Sequence, residues 1–466
     1  MTRYDIAVIG AGTGGYVAAL RAAQRGARVA LVEKERVGGT CLNHGCIPTK
    51  ALMRDAEVYH DVVSGQYAVR ADTPIQVDFA KMMARKQQVV ETLVGGVEHL
   101  LAMRKVDVLR GSGRLLGEQR IAVESATGEQ ILEAGAIILA TGSVAAKLPV
   151  PGAELPGVLD TRELLEIDSL PESVTIIGAG TVGIEFACLL HALGVQVTVL
   201  ERCFFLRDAE PQLARRFRSV LARRGIDVQM DLEVQSFERL PNGKLRAHYD
   251  RRGQQHVDAD RVLVSVGRAP VTEGLGLDAA GVALEGRFIA VDEHLQTSAP
   301  GIYAIGDCIG GYMLAHVASY EAEVAVDNIM GEPRVADYRV VPNCIFTMPE
   351  IASVGLTEEQ AKAQGLAFSV ARFPFTVNGR ALTLGETEGQ VRIISEPEPE
   401  GKGRILGVHI MGPHASDLIA EAALAMQLNA SAHDIARTIH AHPTAPEALM
   451  EAAMNAGIGA IHFAQR

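Results

Sequence analysis

Surplus positive charge is missing from this sequence. Its 44 lysines and arginines are outnumbered by 56 aspartates and glutamates, for a net charge of −12. Binding a polyanion needs a concentrated basic face, so no nucleic-acid partner is expected. Long apolar runs are missing too. Arg21, Arg25 and Arg28 interrupt the first and Glu421 the last, and no stretch reaches the length a bilayer demands, so no membrane span is expected. Neither an apolar signal core nor an Arg- and Ser-rich leader precedes the first strand-like run, residues 4–9, which points to a cytoplasmic location. Six cysteines in 466 residues make no disulfide scaffold, and a reducing cytosol keeps them as thiols unless a pair is built for redox chemistry. No His and Cys spacing fits a ligand set, so no metal is expected.

What is present is an ordinary globular composition, 48% hydrophobic and 21% charged, with 47 glycines. A chain of 466 residues exceeds what one core usually organises, so roughly two to four domains are expected. The most informative feature is an internal repeat. Gly10-x-Gly12-x-x-Gly15 follows an apolar run, and Gly178-x-Gly180-x-x-Gly183 follows residues 174–177. Each is succeeded by a helix-like stretch and a second apolar strand that ends in an acid. Glu33 stands 23 residues after Gly10, and Glu201 stands 23 after Gly178.

One such glycine pattern is weak, because a tight turn alone explains it. Two in the same strand, turn, helix and acid context predict two dinucleotide sites. The glycines let backbone reach a pyrophosphate held at the positive helix end, and Glu33 and Glu201 accept from ribose hydroxyls.

Between the repeats, residues 79–104 have helical spacing and the chain from Val106 alternates like hairpin strands. Residues 301–305 read as a strand whose end presents Asp307 to a ligand. From about Val340 the pattern mixes strands at 390–394 and 405–410 with alanine-rich helices at 416–428 and 445–456, an α+β unit.

Cys41 and Cys46 follow directly on the first acid, which sets the pair beside whatever the first dinucleotide carries. In an ideal helix residues five apart have Cα atoms roughly 8–9 Å apart, beyond the roughly 4.4–6.8 Å of a disulfide. The segment must leave regular helix, and Gly45 and Pro48 permit that. A turn into a helix start also lowers a thiolate pKa. A pair of buried free thiols and half a zinc site are the alternatives, although no second close pair exists. Cys188, Cys203, Cys308 and Cys344 read as structural. Near the end, His442 and Glu447 lie in a proline-broken loop, an arrangement that suits a base and its orienter.

Gly38-Gly-Thr-Cys41-x4-Cys46-x-Pro-x-Lys50, the two fingerprints, Ala-Ile-Gly306-Asp307 and His442-Pro-Thr-x-x-Glu447 together resemble the class I pyridine nucleotide-disulfide oxidoreductases. The resemblance spans nearly the whole chain. Within that family it is nearest the dihydrolipoyl dehydrogenases, through Met313-Leu-Ala-His316, Pro349-Glu-Ile-Ala-Ser-Val-Gly-Leu-Thr-Glu358, Asn378-Gly-Arg-Ala381 and His440-Ala-His-Pro-Thr444.

The resemblance implies an α/β chain with two Rossmann-like domains, for FAD over 1–145 and NAD over 146–267. A central domain over 268–338 completes the FAD site, and an α+β interface domain over 339–466 forms a homodimer with a shared active site. Catalysis then falls to Cys41, which exchanges with substrate sulfur, to Cys46, which faces the flavin, and to His442 of the partner subunit with Glu447. Lys50 pairs with Glu185 near the flavin. FAD contacts match Gly10, Gly12, Gly15, Glu33, Thr40, Lys50, Gly113, Thr141, Gly142, Asp307, Ala315 and His316. NAD contacts match Gly178, Gly180, Gly183, Glu185, Glu201, Val234, Gly267 and Ala269.

The implied reaction is oxidation of dihydrolipoamide on lipoyl domains of a 2-oxo acid dehydrogenase, acetoin dehydrogenase or glycine cleavage complex. Arg202 and Arg207 depart from the pattern and resemble arginines of NADPH-using relatives. They keep open an NADPH-dependent reductase of glutathione-like or other low-molecular-weight disulfides, or one like mercuric reductase, although residues 461–466 lack that family's terminal vicinal cysteines. A flavoprotein subunit without turnover is the reading from another class.

Overall fold

The computed structural model describes residues 2–397 and 403–464. Its first sheet has a parallel core in the order Asp107–Arg110, Val29–Glu33, Thr2–Ile9, Gly128–Leu139, Ile302–Ala304. Val29–Glu33 is buried at every position, as expected of a strand covered on both faces. One cover is the helix pair Thr13–Gln24 and Ala315–Ile329. The strand Gly128–Leu139 has two partners on one side. Its first half pairs antiparallel with Arg120–Ser125, and its last residues pair parallel with Ile302–Ala304. Asp107–Arg110 is therefore a parallel edge strand, and the hairpins expected from Val106 begin only at Ser112.

The second sheet repeats this plan: Asp227–Gln229, Gln196–Leu200, Ser173–Ile177, Arg261–Val264 and Val158–Leu159, all parallel. A three-stranded antiparallel sheet, Glu233–Arg239, Leu245–Asp250 and Gln254–Ala259, is inserted before the return strand. The chain leaves the first unit through Ser143–Ala145 and returns through Arg268–Pro270, which pair as a two-stranded ribbon. Segment 268–338 adds Ile302–Ala304 to the first sheet and builds only the small ribbon Leu284–Glu285 with Phe288–Ile289 of its own.

The last unit is a five-stranded antiparallel sheet in the order Asn343–Ile345, Glu350–Gly355, Ile405–Gly412, Gln390–Ser395, Ser369–Pro374. Helices Ala415–Gln427 and Glu447–Asn455 cover it, around Val391, Ile393, Val408, Ile410, Leu418 and Leu449. Glu447, read both as part of a proline-broken loop and as part of a helix over 445–456, is the first residue of the helix Glu447–Asn455. This unit is tied to the second by Arg392, fully buried, which meets Glu358 at 2.8 Å and Gln212 at 2.8 Å with Glu210 at 3.6 Å. Among the described residues, no helix is long and apolar enough to cross a membrane.

Candidate active site

Each glycine loop joins the end of a central parallel strand to a helix, and its three glycines answer to different demands. Gly10 and Gly178 adopt φ of +100° and +107°, the left-handed region that glycine tolerates. A Cβ on Gly10 falls 2.3 Å from the Ala140 carbonyl oxygen, and one on Gly15 falls 1.8 Å from that of Gly10. The second loop repeats this, with Gly178 2.5 Å from the Ser265 carbonyl and Gly183 2.2 Å from the Gly178 carbonyl. A Cβ built on Gly12 or Gly180 has nothing within 4 Å of it. The outer glycines are thus dictated by the chain, and the middle one faces open space.

The helices Thr13–Gln24 and Thr181–Ala192 begin at that space with no side-chain cap, leaving their first amides free for an anion. At the first loop a second uncapped helix, Ala315–Ile329, packs alongside. A Cβ on Gly14 lies 3.2 Å from the Ala318 carbonyl, and Ala315 and His316 form that helix's first turn. These cradles fit dinucleotide pyrophosphates. The two acids also brace their own loops. Glu33 accepts from Ala11 and Glu35 amides, both at 2.7 Å, and Glu201 accepts from Ala179 and Cys203 amides, both at 2.7 Å.

The remaining expected contacts divide. Asp307 follows Ile302–Ala304, accepts from the Ser143 hydroxyl and sits 3.4 Å from Arg268. Arg268 escaped the sequence reading. Thr141 donates to the Val271 carbonyl at 2.6 Å, and His316 Nε2 donates to the Pro342 carbonyl at 2.8 Å. Gly142 and Gly267 have positive φ and open space beside them, while Gly113 is close-packed, its Cβ position 3.0 Å from Ile9. Thr40 is exposed, and Ala269 lies in the ribbon. Val234 is buried with Ile177, Leu200 and Leu232, so its side chain is core and only its backbone is left for a nucleotide.

The cysteine segment departs from regular helix at one residue. Helix Gly39–His44 ends at Gly45, with φ −143° and ψ −111°, and helix Cys46–Val63 starts immediately after. A Cβ on Gly45 would come within 3.0 Å of the Thr40 carbonyl. Pro48 is not the breaker: it lies in the first turn of the second helix, where its missing N–H costs little. Cys46 therefore occupies the N-terminus of an 18-residue helix. Cys41 and Cys46 are both free cysteines. Acceptance of a hydrogen bond from Cys41, aided by the Lys50 ammonium and opposed by burial, pushes the Cys46 thiol down to about 7. Donating that bond, and burial, push Cys41 up. The pair is polarised toward a thiolate at Cys46.

Lys50 reaches Glu185 at 2.7 Å and lies over the Phe346 ring at 4.5 Å, and the other Glu185 oxygen accepts from the Phe346 amide at 2.9 Å. This knot joins all three sheets' units. Tyr16, one residue past Gly15, is half-buried and within electrostatic reach of Cys41, another contact the sequence reading missed. Cys188 and Cys308 are buried, and burial raises both thiols to about 11. Cys203, expected to be structural, is exposed instead.

His442 and Glu447 form the expected pair. His442 Nδ1 donates to Glu447 at 2.8 Å, and the second carboxylate oxygen accepts from the Thr444 amide at 2.7 Å. Burial raises the Glu447 carboxyl, but the Thr444 amide and His442 outweigh it, so the group is held below its ordinary range. The imidazole is 78% exposed. Among the described residues, no hydrogen bond or ion pair joins this loop to Cys41, Cys46 or Lys50 of the same chain.

Residues 4–322 match the pyridine nucleotide-disulphide oxidoreductase family, and residues 341–453 match its dimerisation domain. The chain belongs to this family. Among curated relatives, the dihydrolipoyl dehydrogenase of Bacillus subtilis is 43% identical over 99% of this chain and 100% of its own length. That of Halobacterium salinarum is 42% identical over 100% of this chain and 98% of its own. Among solved structures, the Cu(II) complex of an HOCl-induced flavoprotein disulfide reductase from Escherichia coli superposes with a TM-score of 0.88 at 29% identity, over 97% of this chain and 99% of that one. In this oxidoreductase the cysteine pair, both glycine loops and the His–Glu pair thus stand on one full-length family frame.

Proposed function

We propose that this oxidoreductase acts as a dihydrolipoyl dehydrogenase, oxidising protein-bound dihydrolipoamide with NAD through Cys41, Cys46 and FAD. The polarised thiol pair at a helix start beside Lys50 is the observation that carries this reading. The first glycine loop, with two helix N-termini, fits FAD. The second, with Glu201 at its ribose end, fits NAD.

Because the exposed His442 shares no hydrogen bond or ion pair with the pair in its own chain among the described residues, we take the working unit to be a homodimer in which each site takes His442 and Glu447 from the partner. The dimerisation-domain match supports this, as do Leu424, Leu428, Ile439, Ile458 and Ile461, all exposed on the last unit. The substrate-bearing partners are lipoyl domains of a 2-oxo acid dehydrogenase, acetoin dehydrogenase or glycine cleavage assembly, and the setting is the cytoplasm.

Glu447 holds the Nδ1 proton of His442, so Nε2 is free to take a proton from one substrate thiol. The thiolate attacks Cys41 Sγ of the oxidised pair, and the Cys41–Cys46 bond breaks. Cys46 leaves as a thiolate, favoured by Lys50 and the helix start. The second substrate thiol then attacks the mixed disulfide, closing the dithiolane and expelling Cys41, which is reprotonated. One disulfide has been reduced and one dithiol oxidised, with one proton released and Cys46 left as the thiolate. FAD, which Gly10, Gly12, Gly15 and Glu33 would hold beside Cys46, would supply the redox chemistry that links the reduced pair to NAD.

Cofactor choice follows from the second loop. Glu201 stands where a 2′-phosphate would bring like charge, and the Arg202 guanidinium lies 3.8 Å from Glu233. Dihydrolipoamide oxidation is expected to run with kcat/KM roughly tenfold or more higher for NAD than NADP, the factor about 1.4 kcal/mol of repulsion supplies. Gly180→Ala fills the open cradle and should raise KM for NAD while flavin content stays normal. Turnover confined to NADPH and a small disulfide would instead favour the arginines and the NADPH reductase.

A pH dependence also follows. Cys46 is lowered to about 7, so its thiolate is present above that pH and is lost as pH falls through it. A two-electron-reduced holoenzyme, titrated by the long-wavelength absorbance of a thiolate beside oxidised flavin, should lose that band around pH 7. Lys50→Met removes a cation that favours the thiolate and should move the midpoint upward. A downward or absent shift contradicts the assignment.

A further inference from the structure

His440 lies two residues before His442, yet its side chain points inward, 5% exposed against 78%. Its Nδ1 is 2.8 Å from the Thr438 carbonyl oxygen, and its Nε2 is 3.0 Å from Glu421 Oε1 on helix Ala415–Gln427. A carbonyl and a carboxylate both accept, whereas a neutral imidazole carries only one N–H. With Glu421 ionised the ring donates from both nitrogens and is an imidazolium, nearly enclosed by protein.

Glu421 comes from helix Ala415–Gln427 and Glu447 from the start of helix Glu447–Asn455. His442 follows on the same loop, and Asp434 and Arg437 lie on the short helix before it. Asp434 is occupied by Ser431. Glu447 is bonded to His442 and lies within the field of His440, and both hold its carboxyl down.

We infer that His440 is a positioning residue for the base: paired with Glu421 and Thr438, its buried charge anchors the loop and limits how strongly Glu447 draws a proton onto His442. The sign follows from electrostatics. A carboxylate alone favours the protonated form of His442, and a nearby cation opposes it. His440 thus keeps Nε2 of His442 free at a lower pH than Glu447 would by itself. This inference rests on the dihydrolipoyl dehydrogenase reading for its use, though its charge arrangement does not.

The test is a titration of the holoenzyme labelled with [13Cε1]histidine, with the His442 signal assigned by its loss in His442→Gln. In His440→Gln the midpoint of His442 should rise by roughly half a pH unit or more. The acid limb of kcat/KM for dihydrolipoamide should move with it, about a threefold loss on the acid side. His440→Lys, which restores a cation, should return both toward wild type. Glu421→Gln keeps the ring as a neutral tautomer donating to Thr438 and should give a smaller upward shift, so it carries the test if His440→Gln does not fold. An unmoved midpoint in the folded variants, whatever happens to thermal stability, overturns the inference. Absent turnover with a shifted midpoint sinks the dehydrogenase reading alone, and normal turnover with an unmoved midpoint sinks only the role of His440.

Discussion

Replacing either cysteine of the pair with serine is expected to abolish dihydrolipoamide oxidation, by roughly three orders of magnitude or more, while flavin stays bound. Neither sulfur belongs to a glycine cradle, so cofactor retention should survive. The two variants should nevertheless differ in spectrum. Cys41→Ser keeps Cys46 at its helix start beside Lys50, with a hydroxyl in place of the thiol that donates to it. A permanent thiolate should then be visible in the oxidised enzyme above about pH 7. Cys46→Ser removes the stabilised sulfur and should show no such band at any pH. If either variant retains a tenth of the wild-type rate, electrons reach the flavin by another route.

The second large effect concerns the shared site. His442→Gln should cost about two to four orders of magnitude in rate, the usual worth of a positioned general base. Mixing that subunit with Cys41→Ser subunits should nevertheless restore activity. In a hybrid dimer one site combines both defects and the other combines an intact pair with an intact base. Random reassortment makes about half the dimers hybrid with one live site each, so about a quarter of the wild-type activity returns. If the base served its own chain, every site in the mixture would carry one defect and nothing would return. The exposed His442 ring, without a bond to the cysteine segment, is the reason to expect the first outcome.

Much of this arrangement was legible because the spacing from glycine to acid is set by one strand, one helix and one return strand, which both units build alike. The Lys50–Glu185 pair and the His442–Glu447 pair came from motif resemblance, and both are bonded in the structure. What escaped depended on distant meetings or on direction. Arg268 acts on Ser143 across 125 residues of chain, with no local signal. Val234 sits in an antiparallel strand whose inward positions are core, and periodicity alone does not tell a core valine from one beside a ligand. His440 and His442 share one loop and one composition, yet one ring faces a carboxylate inside and the other faces solvent. Pro446, which supported a loop reading for residues 442–447, stands directly before the helix expected over 445–456, a place proline tolerates well.

The unequal demands on the three glycines bear on how such a chain can age. Gly10, Gly15, Gly178 and Gly183 are required by neighbouring carbonyl oxygens whether or not a nucleotide ever binds. Gly12 and Gly180 have no such neighbour and answer only to a ligand. A descendant that gave up its cofactors would be free to lose the middle glycines first while its fold stayed intact, so a side chain at position 12 or 180 would mark the loss of each nucleotide separately.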